Sequence, residues 1–276
     1  MDTGVEFDPS EFHYSNCREC KNGAPSKFDW KFIPLAVCIS LKDRNDRTEE
    51  ATKQFHKVGL CKRLLFYRPE KDRSRIRRPG TRGCWESHRR VARLAQDSGL
   101  KRLLIFEDDV LFDGSVTPSR VSQLARQVKG LGSSWNGLFL GSWPIFARPT
   151  LDSNSGLLRS VSLATHAYIA NQPLLNWMRD HPFDKMKLSK WGGLGIDCYF
   201  ALQPKMYSTY PMMAYQSGSV SSNPKPKLGG SLLDFALSDP KYMKASQYAA
   251  LGTTYVLVIA FIIAAILIIR ALCRTK

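Results

Sequence analysis

The sequence lacks the marks of a disulfide-stabilised, secreted protein. Its seven cysteines are an odd number, and most of them stand singly among apolar neighbours, which is typical of reduced, buried thiols. The N-terminus, MDTGVEFDPSEFHYSNC, has neither the basic start nor the apolar run of a signal peptide. We therefore expect the main domain to lie in the cytosol.

Zinc-ligand spacing is nearly absent as well. Only CREC, from Cys17 to Cys20, has the spacing of paired metal ligands. A zinc site would need a second pair or nearby histidines, and His13 is the only local candidate. A plain N-terminal extension is the other interpretation, and the sequence leaves both open.

Acidic residues are scarce relative to basic ones. The chain has 24 Asp and Glu against 40 Lys and Arg, which gives a formal charge of +16 and a pI near 9.7. This balance suits a partner with phosphates, an anionic membrane surface or a nucleotide substrate, and does not distinguish them. The run KDRSRIRRPGTR, Lys71 to Arg82, is most simply a solvated loop; it could also cover a diphosphate or touch anionic lipid.

Charge is missing altogether from AALGTTYVLVIAFIIAAILII, Ala249 to Ile269. A helix of that length rises roughly 30 Å, about the thickness of the hydrocarbon layer. We predict a transmembrane helix over residues 248–270, after a linker at 224–247 and before a short basic tail at 271–276. The chain is thus predicted to be a single-pass membrane protein with a C-terminal anchor. Basic residues on both sides leave its orientation open.

Apolar runs and amphipathic segments alternate after an irregular leader at residues 1–31. PLAVCISL is followed by a helical pattern in which Asp46 and Glu49 have capping-box spacing. RLLFY, the helical CWESHRRVARLAQDSGL and KRLLIF follow in turn. This alternation predicts an α/β fold with parallel strands in a domain over residues 32–223. The strand ends carrying Asp43 and Glu107 should then emerge at the same edge of the sheet, where ligands bind.

Three carboxylates, Glu107, Asp108 and Asp109, end the apolar strand in RLLIFEDDVLF. Adjacent carboxylates raise one another's pKa, and a divalent cation is the natural compensation. Mg²⁺ and Mn²⁺ take oxygen ligands and commonly hold substrate phosphates too, so an acidic tip at a ligand-binding edge favours a metal-bridged nucleotide diphosphate. A solvated acidic loop is the competing interpretation.

The segment around this tip, GTRGCWESHRRVARLAQDSGLKRLLIFEDDVLF, resembles the core of glycosyltransferase family 25, the group of lipooligosaccharide and procollagen galactosyltransferases. Gly83, Cys84, Ser87 and His88 precede the acids in the order and spacing of the family's pattern, in which the Ser-His pair opens a helix. VCISLKDRNDR, FLGSW, THAYIANQPLLNWM and GGLGIDCYF are similar to further parts of the family, so the resemblance spans about residues 33–223.

The resemblance implies a GT-A type, Rossmann-like nucleotide-binding fold and an inverting transfer from a sugar nucleotide. Its metal and diphosphate motif falls on Glu107 and Asp109 as ligands of Mn²⁺ or Mg²⁺, with Asp108 beside the nucleotide. Asp43, Arg44 and Arg47 would also lie near the nucleotide, because the planar fork of arginine suits phosphate. Asp197 would be the base that removes the proton of the acceptor hydroxyl.

Each of these residues has a structural alternative. Asp43, Arg44 and Arg47 could cap a helix and form a solvated face, and Asp197 could cap the helix that follows it. His88 is more simply a packed, hydrogen-bonded residue at a helix start. The chain also departs from the family. Ser40-Leu41-Lys42 stands where Asn-Leu is usual, and no histidine follows His181, although many GT-A enzymes use a late histidine ligand.

Three functional hypotheses follow from these patterns. The leading one is a membrane-anchored enzyme that transfers a hexose, galactose or glucose, from a UDP-sugar to a hydroxyl on a glycan, lipid or protein. The second keeps the fold without catalysis, as a binding or scaffold protein at a membrane. The third is a basic protein that binds polyanions through Lys71 to Arg93 and would show steep salt dependence. No nucleic-acid partner is expected for the leading hypothesis.

Overall fold

A mixed seven-stranded sheet forms the centre of the described part of the chain. The structure, a computed structural model, describes residues 8–15, 17, 27–74, 79–150, 156–186, 194–217 and 240–274. In spatial order the sheet contains β1 (Phe12–Tyr14), β3 (Leu64–Tyr67), β2 (Ala36–Ile39), β4 (Arg102–Glu107), β7 (Leu157–Asn171), β6 (Gly137–Pro149) and β8 (Met206–Thr209). Two short strands, β5 (Val110–Phe112) and β9 (Ala214–Gln216), pair as a separate antiparallel ribbon.

Helices cover both faces of this sheet. The helices are α1 (Asn45–Lys57), α2 (Pro79–Asp97), α3 (Pro118–Gly130), α4 (Gln172–Asp180), α5 (Ile196–Ala201) and α6 (Pro240–Arg274). The side chains of β4 alternate between the two faces. Leu104 and Phe106 pack with α1 and α3, whereas Leu103 and Ile105 pack with α2, α4 and α5. Burial on both faces explains the continuous apolar runs of the strands, and the predicted α/β class is confirmed.

The first three core strands run parallel, as the alternation of strands and helices predicted. β2 pairs with β3 on one side and with β4 on the other, and Ile39 lies opposite Glu107. The carboxyl ends of these strands therefore meet at one edge. Beyond β4 the sheet is mixed: β7 pairs antiparallel with β4 and with β6, with which it forms a long hairpin, and β8 runs parallel to β6. The sequence pattern did not predict this hairpin.

Two predicted helix starts are wrong. α1 begins without a capping box, since Arg44 occupies the N-cap position with no side-chain cap, and the carboxylate of Asp46 instead accepts hydrogen bonds from the guanidinium of Arg44. α2 begins at Pro79, because proline suits the first helical turn, where its missing N–H is not needed. His88 therefore lies in the middle of α2 and not at its start.

The C-terminal helix α6 is confirmed as an apolar helix. Within the described residues one helix, at Lys241–Ala264, is long and apolar enough to cross a membrane. Its first turns contact the domain through one face, whose buried residues are Met243, Gln247, Ala250 and Thr254. Gln247 donates to the carbonyl oxygen of Thr209 at 2.8 Å, and the Thr254 hydroxyl donates to that of Ala147 at 2.7 Å.

The predicted domain limits stay predictions. β1 and the buried Trp30 fall within the predicted leader, and α6 includes residues 240–247 of the predicted linker. The rest of that linker, residues 224–239, lies outside the described residues.

Candidate functional site

The acidic tip of β4 lines a cleft and does not project into bulk solvent. Its three side chains are turned in different directions by the turn that connects β4 to β5. Those of Asp108 and Asp109 are each 10% exposed and that of Glu107 is 27% exposed. All three line one cleft of about 200 Å³ at the carboxyl edge of the sheet. The sequence prediction of an acidic tip at this edge agrees with this placement.

Asp108 is neutralised by a buried arginine from α1. The Arg47 guanidinium donates to Asp108 Oδ1 at 3.0 Å, and the same Nη1 lies 4.0 Å from Asp109. Burial raises the pKa of Asp108, while hydrogen bonds from Ser40 and Arg47 oppose that rise. Arg47 is 6% exposed, so this pair is a buried one, and removing either partner would leave an uncompensated charge.

Asp109 is the least compensated of the three acids. Its Oδ2 accepts a hydrogen bond of 2.8 Å from the Gln216 side-chain amide, which the ribbon of β5 and β9 brings next to it. Its Oδ1 is buried and has no hydrogen-bond partner among the described residues. Burial, followed by the neighbouring charge of Glu107, raises the pKa of Asp109 from 3.8 to about 7. The fold thus holds a carboxylate oxygen without a proton donor.

Glu107 faces the opposite wall of the cleft. The Thr165 hydroxyl donates to its Oε1 at 2.6 Å, and His88 Nε2 lies 3.5 Å from the same oxygen. Tyr168 contacts the other ring nitrogen of His88 at 2.8 Å. Burial alone would raise the pKa of Glu107, but His88 and Thr165 together outweigh it and the pKa is lowered. His88 therefore both packs in the core, as the simpler prediction held, and reaches the site.

The charge balance of the cleft is opposite to that of the chain. Among the described residues, the cleft is lined by the acids Glu70, Asp72, Glu107, Asp108 and Asp109 and by the bases Arg44, Arg47 and Lys71. The whole chain carries a formal charge of +16. An excess of carboxylates in a concave site attracts a cation and repels a bare phosphate.

Oxygen donors of this kind fit a hard divalent cation. The buried Oδ1 of Asp109 is the donor that most needs one, since its lone pairs have no other ligand in the described part of the chain. A softer set lies nearby, because one donor atom each of Cys84, His88 and Glu107 lie within 4.8 Å of one another. The acids Glu107 and Asp109, assigned to metal from the sequence, therefore line a cleft whose chemistry suits that assignment.

A second lobe of the cleft contains Asp197. This lobe, of about 310 Å³, shares Cys84, Glu107 and Gln216 with the first. Asp197 lies at the start of α5, where its Oδ1 accepts from the Cys198 backbone N–H at 2.9 Å and its Oδ2 lies 3.5 Å from the Ala164 N–H. A Cβ at Gly195 would lie 2.5 Å from Asp197 Oδ1, so a side chain there would displace the Asp197 carboxylate from its present position.

The backbone beside Asp197 adopts an uncommon conformation. Ala164 has a φ of 70°, in the left-handed region that non-glycine residues seldom occupy. This conformation turns the Ala164 N–H toward the carboxylate of Asp197 and is held by the long β7 strand on both sides. Such outliers cost about 1–3 kcal/mol and are concentrated at functional sites.

The structure separates the three residues predicted to lie near the nucleotide. Arg47 reaches the acids, and Arg44 lines the cleft while its guanidinium is bound to Asp46. Asp43 lines a neighbouring surface hollow with Lys42, Glu70, Lys71 and Arg73. Asp43 therefore lies beside the acidic cleft and not in its wall.

Sequence reasoning missed three polar residues of the site. Thr165 and Gln216 bind Glu107 and Asp109, and Ser40 hydrogen-bonds Asp108. Ser40 ends the first predicted strand, and its position was visible there only as a departure from the family's Asn-Leu. Thr165 opens the segment THAYIANQPLLNWM, which resembles part of the family, but no local pattern assigns Thr165 or Gln216 a role in the site. Both residues reach the acids through antiparallel pairings far along the chain.

Comparison with known proteins finds likenesses only among solved structures, and these include a distant one. No protein-family model matches the chain, and no curated protein matches it. Among solved structures, the chain is similar to the crystal structure of a glycosyltransferase involved in the glycosylation of the major capsid of PBCV-1, with 7% identity and a TM-score of 0.32 over 64% of this chain and 93% of that one. A score this low supports no conclusion about fold or function, which depend on the geometry of the cleft itself.

Proposed function

We propose that the protein is a membrane-anchored, metal-assisted glycosyltransferase with a GT-A type domain related to family 25. It transfers a hexose from a UDP-sugar to a hydroxyl group of a glycan, lipid or protein, with inversion. The observation that carries the proposal is the acidic tip: three carboxylates at the carboxyl edge of a sheet, one of them with a buried unpartnered oxygen, in a cleft that continues to a further carboxylate, Asp197.

The first lobe would hold the nucleotide diphosphate. Arg44 and Lys71 line it and carry positive charges that suit phosphate oxygens. Asp109, with Glu107 beside it, would hold Mn²⁺ or Mg²⁺, which when bound stabilises negative charge on the departing diphosphate. Arg47 neutralises Asp108 and so limits the repulsion between the acidic tip and the donor.

The second lobe would hold the acceptor. Asp197 takes the proton of the acceptor hydroxyl as that oxygen forms a bond to the anomeric carbon. The bond between the anomeric carbon and the diphosphate breaks, and the nucleoside diphosphate leaves with the electron pair. The N–H groups of Cys198 and Ala164 orient the carboxylate for this step, and a single displacement of this kind inverts the anomeric centre.

The test is donor turnover by the full chain in detergent, measured as release of nucleoside diphosphate from a panel of sugar nucleotides with and without Mn²⁺. We expect metal-dependent turnover of a UDP-sugar. Asp109→Ala removes a proposed metal ligand and Asp197→Asn removes the proposed base, so each should lower turnover by about 100-fold or more. General base catalysis alone contributes a factor of about 10²–10⁴. Asp180→Ala, an exposed acid at the end of α4, is the matched control and should leave turnover unchanged.

Other results would select among the alternatives. Metal-dependent binding of UDP without turnover of any donor would indicate the binding or scaffold protein. If neither metal nor nucleotide binds, and binding of polyanions falls steeply with salt and ignores Asp109→Ala, the chain is a basic peripheral protein. Equal turnover in wild type and Asp109→Ala would contradict the assignment of the metal.

A further inference from the structure

Three potential metal ligands converge far from the cleft, at the end of α1. Cys17 follows the edge strand β1, His56 lies in the last turn of α1, and Cys61 begins a short 3-10 turn at Cys61–Arg63. Cys17 Sγ lies 3.5 Å from His56 Nδ1, and donor atoms of all three residues lie within 4.8 Å of one another. Cys17 lies 39 positions before His56 in the sequence, whereas His56 and Cys61 are close neighbours along the chain.

The sequence singled out a different set. CREC and His13 were the candidate ligands, but His13 pairs with Phe66 on the edge of the sheet and is not in the cluster. Cys20 lies outside the described residues. The fold replaces His13 by His56 and adds Cys61, neither of which has any ligand spacing with Cys17 in the sequence.

The donor set selects a borderline or soft metal. Two thiolates and one imidazole are ligands that Zn²⁺ takes in tetrahedral sites, whereas Mg²⁺ and Ca²⁺ prefer oxygen. With zinc–sulfur and zinc–nitrogen bonds of the usual length, a tetrahedral site has a sulfur-to-nitrogen edge of about 3.5 Å. The distance from Cys17 to His56 equals that edge without any rearrangement.

The surroundings suit a structural site with an entry path. Cys17 and Cys61 are 7% and 4% exposed and belong to the apolar core formed with Trp30 and Val58. His56 is the most exposed of the three ligands, and a surface hollow lined by Cys17, His56 and Thr52 opens beside it. A metal can reach the cluster from that side, while the two sulfurs are shielded.

We propose that Cys17, His56 and Cys61 bind a zinc ion that fastens the segment after β1 to the end of α1. The fourth position of the tetrahedron is left to solvent. β1 pairs with β3 over three residues only, and such a short edge strand gains from a cross-link to a neighbouring helix. The site is separate from the cleft and does not depend on the proposed transferase activity.

The test is the zinc content of the full chain, purified in detergent under reducing conditions and measured by elemental mass spectrometry. We expect about one tightly bound zinc ion per chain. Cobalt substitution should give a near-ultraviolet sulfur-to-metal charge-transfer band and tetrahedral visible bands. Cys17→Ser and Cys61→Ser should each lose the zinc, weaken the charge-transfer band and lower the Tm.

Four variants make the result specific. His56→Ala, a change on the helix surface, should also lose zinc while circular dichroism shows that the protein stays folded. His13→Ala and Cys198→Ser should keep the full zinc content. The cleft cluster is tested by Cys84→Ser, which should keep the zinc as well.

Three outcomes would overturn the proposal. One is unchanged zinc content in Cys17→Ser and His56→Ala. Another is loss of zinc in Cys84→Ser with retention in Cys17→Ser, which would place the metal in the cleft. The third is a disulfide between Cys17 and Cys61 in protein alkylated at the moment of cell lysis, because the two thiols would then be unavailable to zinc.

Discussion

Asp109 occupies a place in the folded protein that disfavours its own charge. One of its carboxylate oxygens has no partner among the described residues, and burial with the nearby charge of Glu107 raises its pKa to about 7. Residues that conflict with stability in this way are concentrated at functional sites, where a ligand removes the conflict. The metal-free protein should therefore lose stability when Asp109 ionises.

We expect Asp109→Asn to stabilise the metal-free protein at neutral and alkaline pH. Below about pH 4 the carboxyl is protonated in both states, whereas between about pH 4 and pH 7 it ionises only in the unfolded chain. The free energy of unfolding of the wild type should fall as the pH rises through that interval. Denaturant titrations in EDTA should show that Asp109→Asn does not undergo this fall and is more stable than the wild type above pH 7.

Manganese should reverse the order of stability. At pH 7.5 and above, Mn²⁺ should raise the Tm of the wild type and leave that of Asp109→Asn unchanged, because a ligand that binds only the folded state stabilises it. A variant that is less stable than the wild type in EDTA at alkaline pH would show that Asp109 is a structural residue. The lowered pKa of Glu107 has the opposite effect on stability. Its contribution to the free energy of unfolding is lost in both proteins as the pH falls below the ordinary pKa of a glutamate side chain.

The residues of the site differ in how far the sequence could reveal them. Glu107, Asp108 and Asp109 are adjacent and follow an apolar strand, so their position at the edge of the sheet follows from local pattern. Gln216 lies 107 positions away from Asp109 and meets it through the ribbon of β5 and β9. Such a contact is fixed by tertiary pairing, and a chain read without homologues carries no signal for it.

Strand β6 packs closely against the ribbon of β5 and β9 that carries Gln216. A Cβ added at Gly141 would lie 2.1 Å from the Ala214 carbonyl oxygen and 2.5 Å from His166 Nε2. His166 is fully buried, and burial lowers its pKa to about 4, so it is neutral at pH 7. Neither neighbour can move without shifting β9 or β7, the two strands that supply Gln216 and Thr165 to the cleft.

We therefore expect Gly141→Ala to destabilise the protein by about 1–3 kcal/mol or more, the usual cost of overpacking, and to lower turnover as well. The free energy of unfolding from urea titrations measures the first effect. Gly114→Ala is the matched control, because an added Cβ there meets no atom within 4 Å, and it should change stability by less than about 0.5 kcal/mol. Equal effects of the two substitutions would contradict the packing argument.

Periodicity predicted some elements and not others. The alternation of strand and helix from Ala36 to Glu107 repeats a local pattern, and the structure follows it. The hairpin of β6 and β7 does not, because its strands of 13 and 15 residues are stabilised mainly by pairing with each other and contain several irregular registers. Helix α2 extends N-terminally to Pro79, since Gly80 and Gly83 are tolerated in a helix that packs against the sheet.

Helix α6 has two parts, a face in its first turns that contacts the domain and a long apolar surface beyond it. The residues from Tyr255 to Ile259 are each more than half exposed, and no neighbouring element in the described part of the chain buries them. A surface of this kind needs an apolar environment. The C-terminal anchor predicted from the uncharged run would supply it.

We expect the full chain to stay with membranes at high salt and to be released by two charges in the apolar run. Ile259→Lys with Ile263→Lys should move the protein to the soluble or aggregated fraction, because each lysine at the centre of a membrane helix costs about 2.5–3.5 kcal/mol. Tyr242→Lys, in the first turn of the helix, is the control. Flotation in a density gradient measures the effect, and release of the wild type by salt alone would indicate binding through basic residues.

Gln216 connects the acidic tip to this helix. Its side chain binds Asp109, and its backbone nitrogen lies 3.5 Å from Met243 Sδ in the first turn of α6. From Met243 to the exposed apolar surface at Tyr255 the helix rises roughly 18 Å. An anchored chain would thus keep its reactive carboxylates within a thin layer above the bilayer and would meet hydroxyls by lateral diffusion in two dimensions. Under the proposed transferase activity, acceptors embedded in the same leaflet would then have an advantage in effective concentration over freely dissolved sugars.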